Sequence, residues 1–159
     1  MHTLTTLSFP EKKKKKKRKG VVVSKKKRKK TKRMSCSESK KKVILAPGNG
    51  TGYRLDKVLW YGWLRDETRK RVHGVDFILR GFPDPLYAKE SVWVPFMKDE
   101  LGADENTIIV AHSSGAAASM RLAENTKIFG LILVSAYSSD LGDDLERGSG
   151  YFSRPWQWE

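Results

Sequence analysis

Residues 107–111, Thr-Ile-Ile-Val-Ala, are followed within three positions by the alanine-rich stretch 115–125, and no turn sequence separates the two. A short β-branched run suits a strand and an alanine-rich run suits a helix, so the chain must pass from one to the other through a single tight corner. That corner constrains the fold more than any other feature. A strand feeding directly into a helix is half of a βαβ unit, and repeated units of this kind build a parallel sheet covered by helices.

The rest of the body supplies the repeats. Val43-Ile44-Leu45-Ala46 is a continuous apolar run closed by Pro47-Gly48-Asn49-Gly50, the pattern of a buried parallel strand ending in a turn. Residues 60–70 carry apolar positions on one face among charges and predict a helix, and residues 75–79 a second strand. After the break at Gly81-Phe82-Pro83-Asp84-Pro85, residues 88–101 have helical composition, with Val92, Trp93, Phe96 and Met97 on one face. Pro95 must start or kink a turn there, which predicts two short helices or one bent helix. Residues 127–135 give a fourth, strongly apolar strand. The expected fold is a three-layer α/β sandwich with strand order 2-1-3-4. Residues 137–158 have no regular period, and their aromatics make them a candidate cap over the site.

The net charge of +14 invites a nucleic-acid reading until it is divided along the chain. Residues 1–42 hold 19 of the 32 Lys+Arg against only Glu11 and Glu38, which leaves the body mildly acidic. Residues 1–42 are therefore expected to be a disordered Lys/Arg-rich tail, because like charges repel and too little apolar surface offsets the entropy of ordering. Residues 43–159 form the domain. The runs 12–19 and 25–33 have the form of a two-part nuclear localisation signal or a phosphate-binding tail; a functionally silent extension is the competing reading. The chain opens without a secretory signal pattern and holds no apolar run near 20 residues, so an intracellular protein, cytoplasmic or nuclear, is expected. Cys36 is the lone cysteine, and His2, His73 and His112 are scattered, so neither a disulfide nor a metal site is expected, nor any cofactor.

Ala111-His112-Ser113-Ser114-Gly115 occupies the strand-to-helix corner and matches a G-x-S-x-G nucleophile elbow with Ala in the first position. A residue forced into strained angles needs small neighbours two positions away on either side. On this reading Ser113 is the nucleophile. The backbone N–H of Ser114 and one from the loop holding Asn49 form the oxyanion hole. The alternative is that Ser113 and Ser114 only cap the helix. His112, adjacent on a tight turn, is expected to point away from the hydroxyl and to pack. Trp60, Trp93 and Trp156 are candidate pocket walls.

Residues 43–50, Trp60-Tyr61-Gly62-Trp63, Pro83-Asp84-Pro85, Trp93-Val94-Pro95-Phe96-Met97, His112-Ser113-Ser114-Gly115, Val134-Ser135-Ala136-Tyr137 and Arg154-Pro155-Trp156-Gln157-Trp158 together resemble the retinoblastoma-binding protein 9 type of serine hydrolase, in the α/β-hydrolase superfamily. The resemblance runs in order through residues 42–159. It implies a Ser-His-Asp esterase-like enzyme acting on small acyl esters or amides. Three departures stand out: Ala111 replaces the elbow's first glycine, the loop at residues 51–59 differs and is about one residue longer, and the family continues beyond this chain's last residue with the triad's acid and base. After Ser113 the chain offers Asp140, Asp143 and Asp144 but no histidine. The expectation is a truncated, nearly inactive domain whose fourth strand lies at an unprotected edge and which is poorly soluble. The family also implies retinoblastoma-protein binding through a Leu-x-Cys-x-Glu segment. The matching residues are Leu101, Ala103 and Glu105, and the cysteine is absent. The alternative to the enzyme is a non-catalytic nuclear binding protein, its tail contacting nucleic acid or an import receptor.

Overall fold

β1 (Lys42–Ala46) sits near the middle of a four-stranded parallel sheet of order β2-β1-β3-β4, completed by β2 (Asp76–Ile78), β3 (Thr107–His112) and β4 (Gly130–Val134). The structure, a computed structural model, describes residues 40–157. The expected tail, save for its last residues, and Trp158 lie outside the described residues.

Alternation along β1 explains the layers. Val43 and Leu45 face one side, where they meet Tyr61, Phe77, Val110 and Leu55 beneath α1 (Tyr61–Arg71). Ile44 and Ala46 face the other side, where Ile109, Ala111, Trp93, Met97 and the alanines of α3 (Ser114–Ala123) close a larger core. A strand buried on both faces needs apolar residues at every position, which is why the strands read as runs and not as alternations. The expected three-layer sheet with order 2-1-3-4 is the observed one.

Residues 88–101 resolve the proline question. α2 (Glu90–Pro95) ends on the proline and hands over to a single π-helical turn at Phe96–Glu100. Proline removes one intrahelical donor, and the wider turn that follows reaches beyond the disturbed carbonyls. Two expectations shift. The fourth strand begins at Gly130, not residue 127, and a short helix, α4 (Asp144–Ser149), lies in the segment expected to be irregular. Asp143 caps α4 by accepting from the Leu145 and Glu146 N–H groups at 2.8 and 3.0 Å, and Gly150 closes it at φ 95°.

Candidate active site

β1 and β3 are neighbours whose following helices leave on opposite faces, so the loops after them open a crevice at the carboxyl ends of the strands. Ser113 lies in that crevice, between the last residue of β3 and the first of α3, with φ 54° and ψ −126°. Few non-glycine residues occupy this region, and holding one there costs on the order of 1–3 kcal/mol. The strain has an identifiable cause. Gly115 packs so close to β1 that a Cβ at this position would drive into the carbonyl oxygens of Ala46 and Pro47, and this contact pulls the start of α3 onto the sheet. Ala111 is fully buried beside Ala46, and its methyl group fits. Ser113 N–H donates to the Val134 carbonyl at 3.0 Å, which ties the corner to β4 as well.

The loop after β1 closes over this corner. A Cβ on Gly48 would lie 3.2 Å from Ser113 Cβ and 3.1 Å from His112 Nδ1. Gly48 N–H donates to the Tyr61 hydroxyl at 3.0 Å, and that hydroxyl also meets His112 Nδ1 at 2.7 Å. The tyrosine hydroxyl thus joins the loop after β1 to the last residue of β3. His112 packs against Tyr61 and Trp60, both edge-on to its ring. Burial lowers its pKa below the usual histidine range and raises that of Tyr61.

A polar cluster that the sequence reading missed covers the opposite side of the elbow. Glu146, carried there by α4, accepts from Ser114 Oγ at 3.1 Å and Asn49 Nδ2 at 3.4 Å. The Tyr137 hydroxyl, three residues beyond β4, lies 3.1 Å from Ser114 Oγ. Burial, opposed by hydrogen bonding from Ser114 and reinforced by Glu146, pushes its pKa up to about 12, and Ser113 acts on the same phenol. Glu146 Oε2 is buried with no hydrogen-bond partner. The cap Asp143 and the closing Gly150 were the available signal for α4, a D-x-x-E start and a glycine stop.

The three tryptophans separate. Trp93 is fully buried, donates to the Pro83 carbonyl at 2.7 Å and packs on Phe82, so it belongs to the core. Trp60 flanks His112. Trp156 stacks over Arg121 at 3.7 Å and lines an open groove of about 850 Å³ with Met120, Leu131 and Leu133; Ser113 is not among the residues of that groove. Asp140 and Asp144 both pair with Arg147, and Asp143 caps α4, so all three aspartates serve the α4 region. Leu101 and Ala103 are buried in the core and Glu105 reaches Lys127 at 3.7 Å. Among the described residues no group of three His, Cys, Asp or Glu is placed to hold a metal ion, and no helix is long and apolar enough to cross a membrane.

Two comparisons bear on this geometry. Over 121 residues the chain is 54% identical to the serine hydrolase RBBP9 of Rattus norvegicus, an alignment taking in 76% of this chain and 64% of that protein. The crystal structure of the ydeN gene product from B. subtilis superposes with a TM-score of 0.60 at 25% identity, covering 73% of this chain and 62% of that one. The chain therefore spans just under two thirds of the length of each. No protein-family model matches it.

Proposed function

We propose, for a chain that is a relative of the RBBP9-type serine hydrolases, that it carries the nucleophile half of an esterase-like site acting on small acyl esters or amides. The observation that supports this most is the strained backbone of Ser113 at the β3–α3 corner. A serine that only capped α3 would sit in the extended region and accept from the helix N–H groups through its side chain, and Ser113 makes no such cap bond. Ser113 Oγ is the nucleophile. The N–H groups of Ser114 and Asn49 are the oxyanion donors: the first N–H groups of α3 have no intrahelical acceptor, and the Gly48 N–H is committed to Tyr61.

His112 Nδ1 is engaged by the Tyr61 hydroxyl, and no histidine follows Ser113 among these residues. A chain of these 159 residues is therefore expected to react far more slowly than a complete triad enzyme, whose base is worth about a millionfold. The test is labelling by a fluorophosphonate probe. The chain, its Ser113→Ala variant and a version extended by the segment that follows in its relatives are compared. Labelling that Ser113→Ala abolishes supports the elbow, stronger labelling of the extended form supports catalytic impairment, and no labelling of any form refutes the hydrolase reading.

The lysine-rich composition of residues 1–42 favours a second reading, a nuclear binding protein using its tail. Binding of duplex DNA that weakens steeply from 50 to about 200 mM salt and disappears on deleting residues 1–42 supports it; salt-insensitive binding, or none, counts against it. Retinoblastoma-protein binding through residues 101–105 is not favoured, since two of the three motif positions are buried. Restoring the cysteine with Ala103→Cys is expected to leave a pull-down unchanged.

A further inference from the structure

Asn49 stands in the loop after β1 and Ser114 opens α3, so the two residues assigned as oxyanion donors meet only in the folded chain. Backbone donors stabilise a developing charge when their positions are fixed beforehand, and a misplacement of about 1 Å can cost on the order of 10²-fold in rate. One side chain holds both residues. Glu146 Oε1 accepts from Ser114 Oγ at 3.1 Å and from Asn49 Nδ2 at 3.4 Å, so a single oxygen atom joins the loop to the helix. Oε2 is buried and takes no hydrogen bond. A carboxylate that only anchored its own helix would gain by spreading its bonds over both oxygens, because a buried acceptor left bare is costly.

The element carrying Glu146 is itself pinned. Asp143 caps the start of α4, Gly150 closes it, and Ser149 Oγ donates to the Glu146 carbonyl at 2.6 Å. Just beyond, the buried Tyr151 donates its hydroxyl to the Ala88 carbonyl at 2.7 Å, which fixes the end of α4 against the segment entering α2. Arg147, next in sequence, is engaged by Asp140 and Asp144. The residues flanking Asn49 are tethered as well. Gly48 N–H donates to the Tyr61 hydroxyl at 3.0 Å and Gly50 N–H to the Pro85 carbonyl at 2.7 Å. Ser114 is buried, and the Tyr137 hydroxyl 3.1 Å from its Oγ makes a second contact on the same atom.

We propose that Glu146 is a positioning residue of the hydrolase site, a clamp that acts through the side chains of Asn49 and Ser114 to set the separation and aim of their backbone N–H groups. The proposal rests on the hydrolase reading and adds to it the residue that holds the oxyanion hole together. Glu146 neither touches the substrate nor takes a proton in this role. It supplies acceptor geometry, so glutamine, whose amide oxygen can accept the same two bonds, replaces it and alanine does not.

Fluorophosphonate labelling at Ser113 tests the clamp, resolved into probe binding and maximal labelling rate, in whichever of the two forms compared above labels. Glu146→Ala is expected to lower the maximal rate about tenfold, part of the 10²–10³ lost when a whole donor is removed, and to leave probe binding unchanged. Ser114→Ala keeps the backbone N–H but loses the hydroxyl, and is expected to match it. The double variant is expected to be no slower than either single one, since both break the same clamp. Glu146→Gln is expected to restore most of the wild-type rate. Circular dichroism confirms that each variant is folded; should Glu146→Ala unfold, Ser114→Ala against Glu146→Gln carries the comparison. A folded Glu146→Ala or Ser114→Ala that labels at the wild-type rate overturns the clamp and leaves the hydrolase reading standing, as does an additive loss in the double variant. Glu146→Gln as slow as Ser114→Ala also overturns it, because charge and not acceptor geometry would then matter. If neither form labels at Ser113, the hydrolase reading falls and the clamp with it.

Discussion

Ser113 stores backbone strain at a single residue, the one proposed as nucleophile. Its positive φ is a conformation that glycine takes without strain and alanine does not. Ser113→Gly is expected to be more stable than Ser113→Ala by about 1 kcal/mol, after allowing for glycine's greater freedom when unfolded. Urea denaturation of the two variants measures the strain directly, and an alanine variant as stable as the glycine one would mean the corner is relaxed. Tyr61 fixes the neighbouring residue. Tyr61→Phe leaves the buried Gly48 N–H and His112 Nδ1 without a partner, with an expected loss of about 1–3 kcal/mol in the same assay.

His112 also makes stability depend on pH, and the sign follows from burial. Its folded-state pKa is lowered, so the unfolded chain binds the proton more readily. The contribution from the neutral ring is complete above the unfolded value of about 6.5 and is lost as pH falls below it. Denaturation midpoints should decline from pH 7 toward pH 5.5, and His112→Gln should flatten that decline. Gly115 and Ser113 were readable as an elbow because the corner demands small residues at fixed spacing. Tyr61, Tyr137 and Glu146 were not, because each meets the elbow from an element distant in sequence.

α4 and β4 show opposite limits of pattern reading at the level of elements. β4 is apolar along its whole length, as a buried strand should be, yet Ile132 and Leu133 are 54% and 40% exposed because it pairs only with β3 among the described residues. Unpaired apolar edges invite association. Ile132→Lys is expected to raise the concentration at which the chain stays monodisperse while changing stability by no more than about 0.5 kcal/mol. Light scattering with parallel denaturation curves tests it, and unchanged aggregation would count against the edge as its cause. α4 carried too short a stretch to show a helical period, and only its capping residues announced it. Within α2, Pro95 marked a bend correctly, but the π turn beyond it depended on how Met97 and Leu101 reach the core.

For the molecule as a whole, a buried arginine closes the body. Arg121, with its side chain fully buried, pairs with Glu124 at 2.6 Å, donates to the carbonyls of Tyr151, Arg154 and Pro155, and stacks beneath Trp156. Arg154 continues the network to Glu90 at 2.7 Å and Glu124 at 3.5 Å, joining α2, α3 and the segment after α4. Removing one partner of a buried pair leaves an uncompensated charge, so Arg121→Met is expected to cost about 3–5 kcal/mol and to release residues 150–157 to limited proteolysis. A variant that melts and digests like the wild type would show that the aromatic segment is held by packing alone.

The sequence by itself determined the layers and the place of Ser113 at a strand-to-helix corner, because these follow from local patterns: apolar runs of strand length, a helix joined to a strand without a turn, small residues around one serine. Tertiary structure alone decided the surroundings of that serine. Which tryptophan is core, where His112 points and which carboxylate reaches the elbow all depend on contacts between residues tens of positions apart. Burial and hydrogen-bond direction exist only once those residues have been brought together.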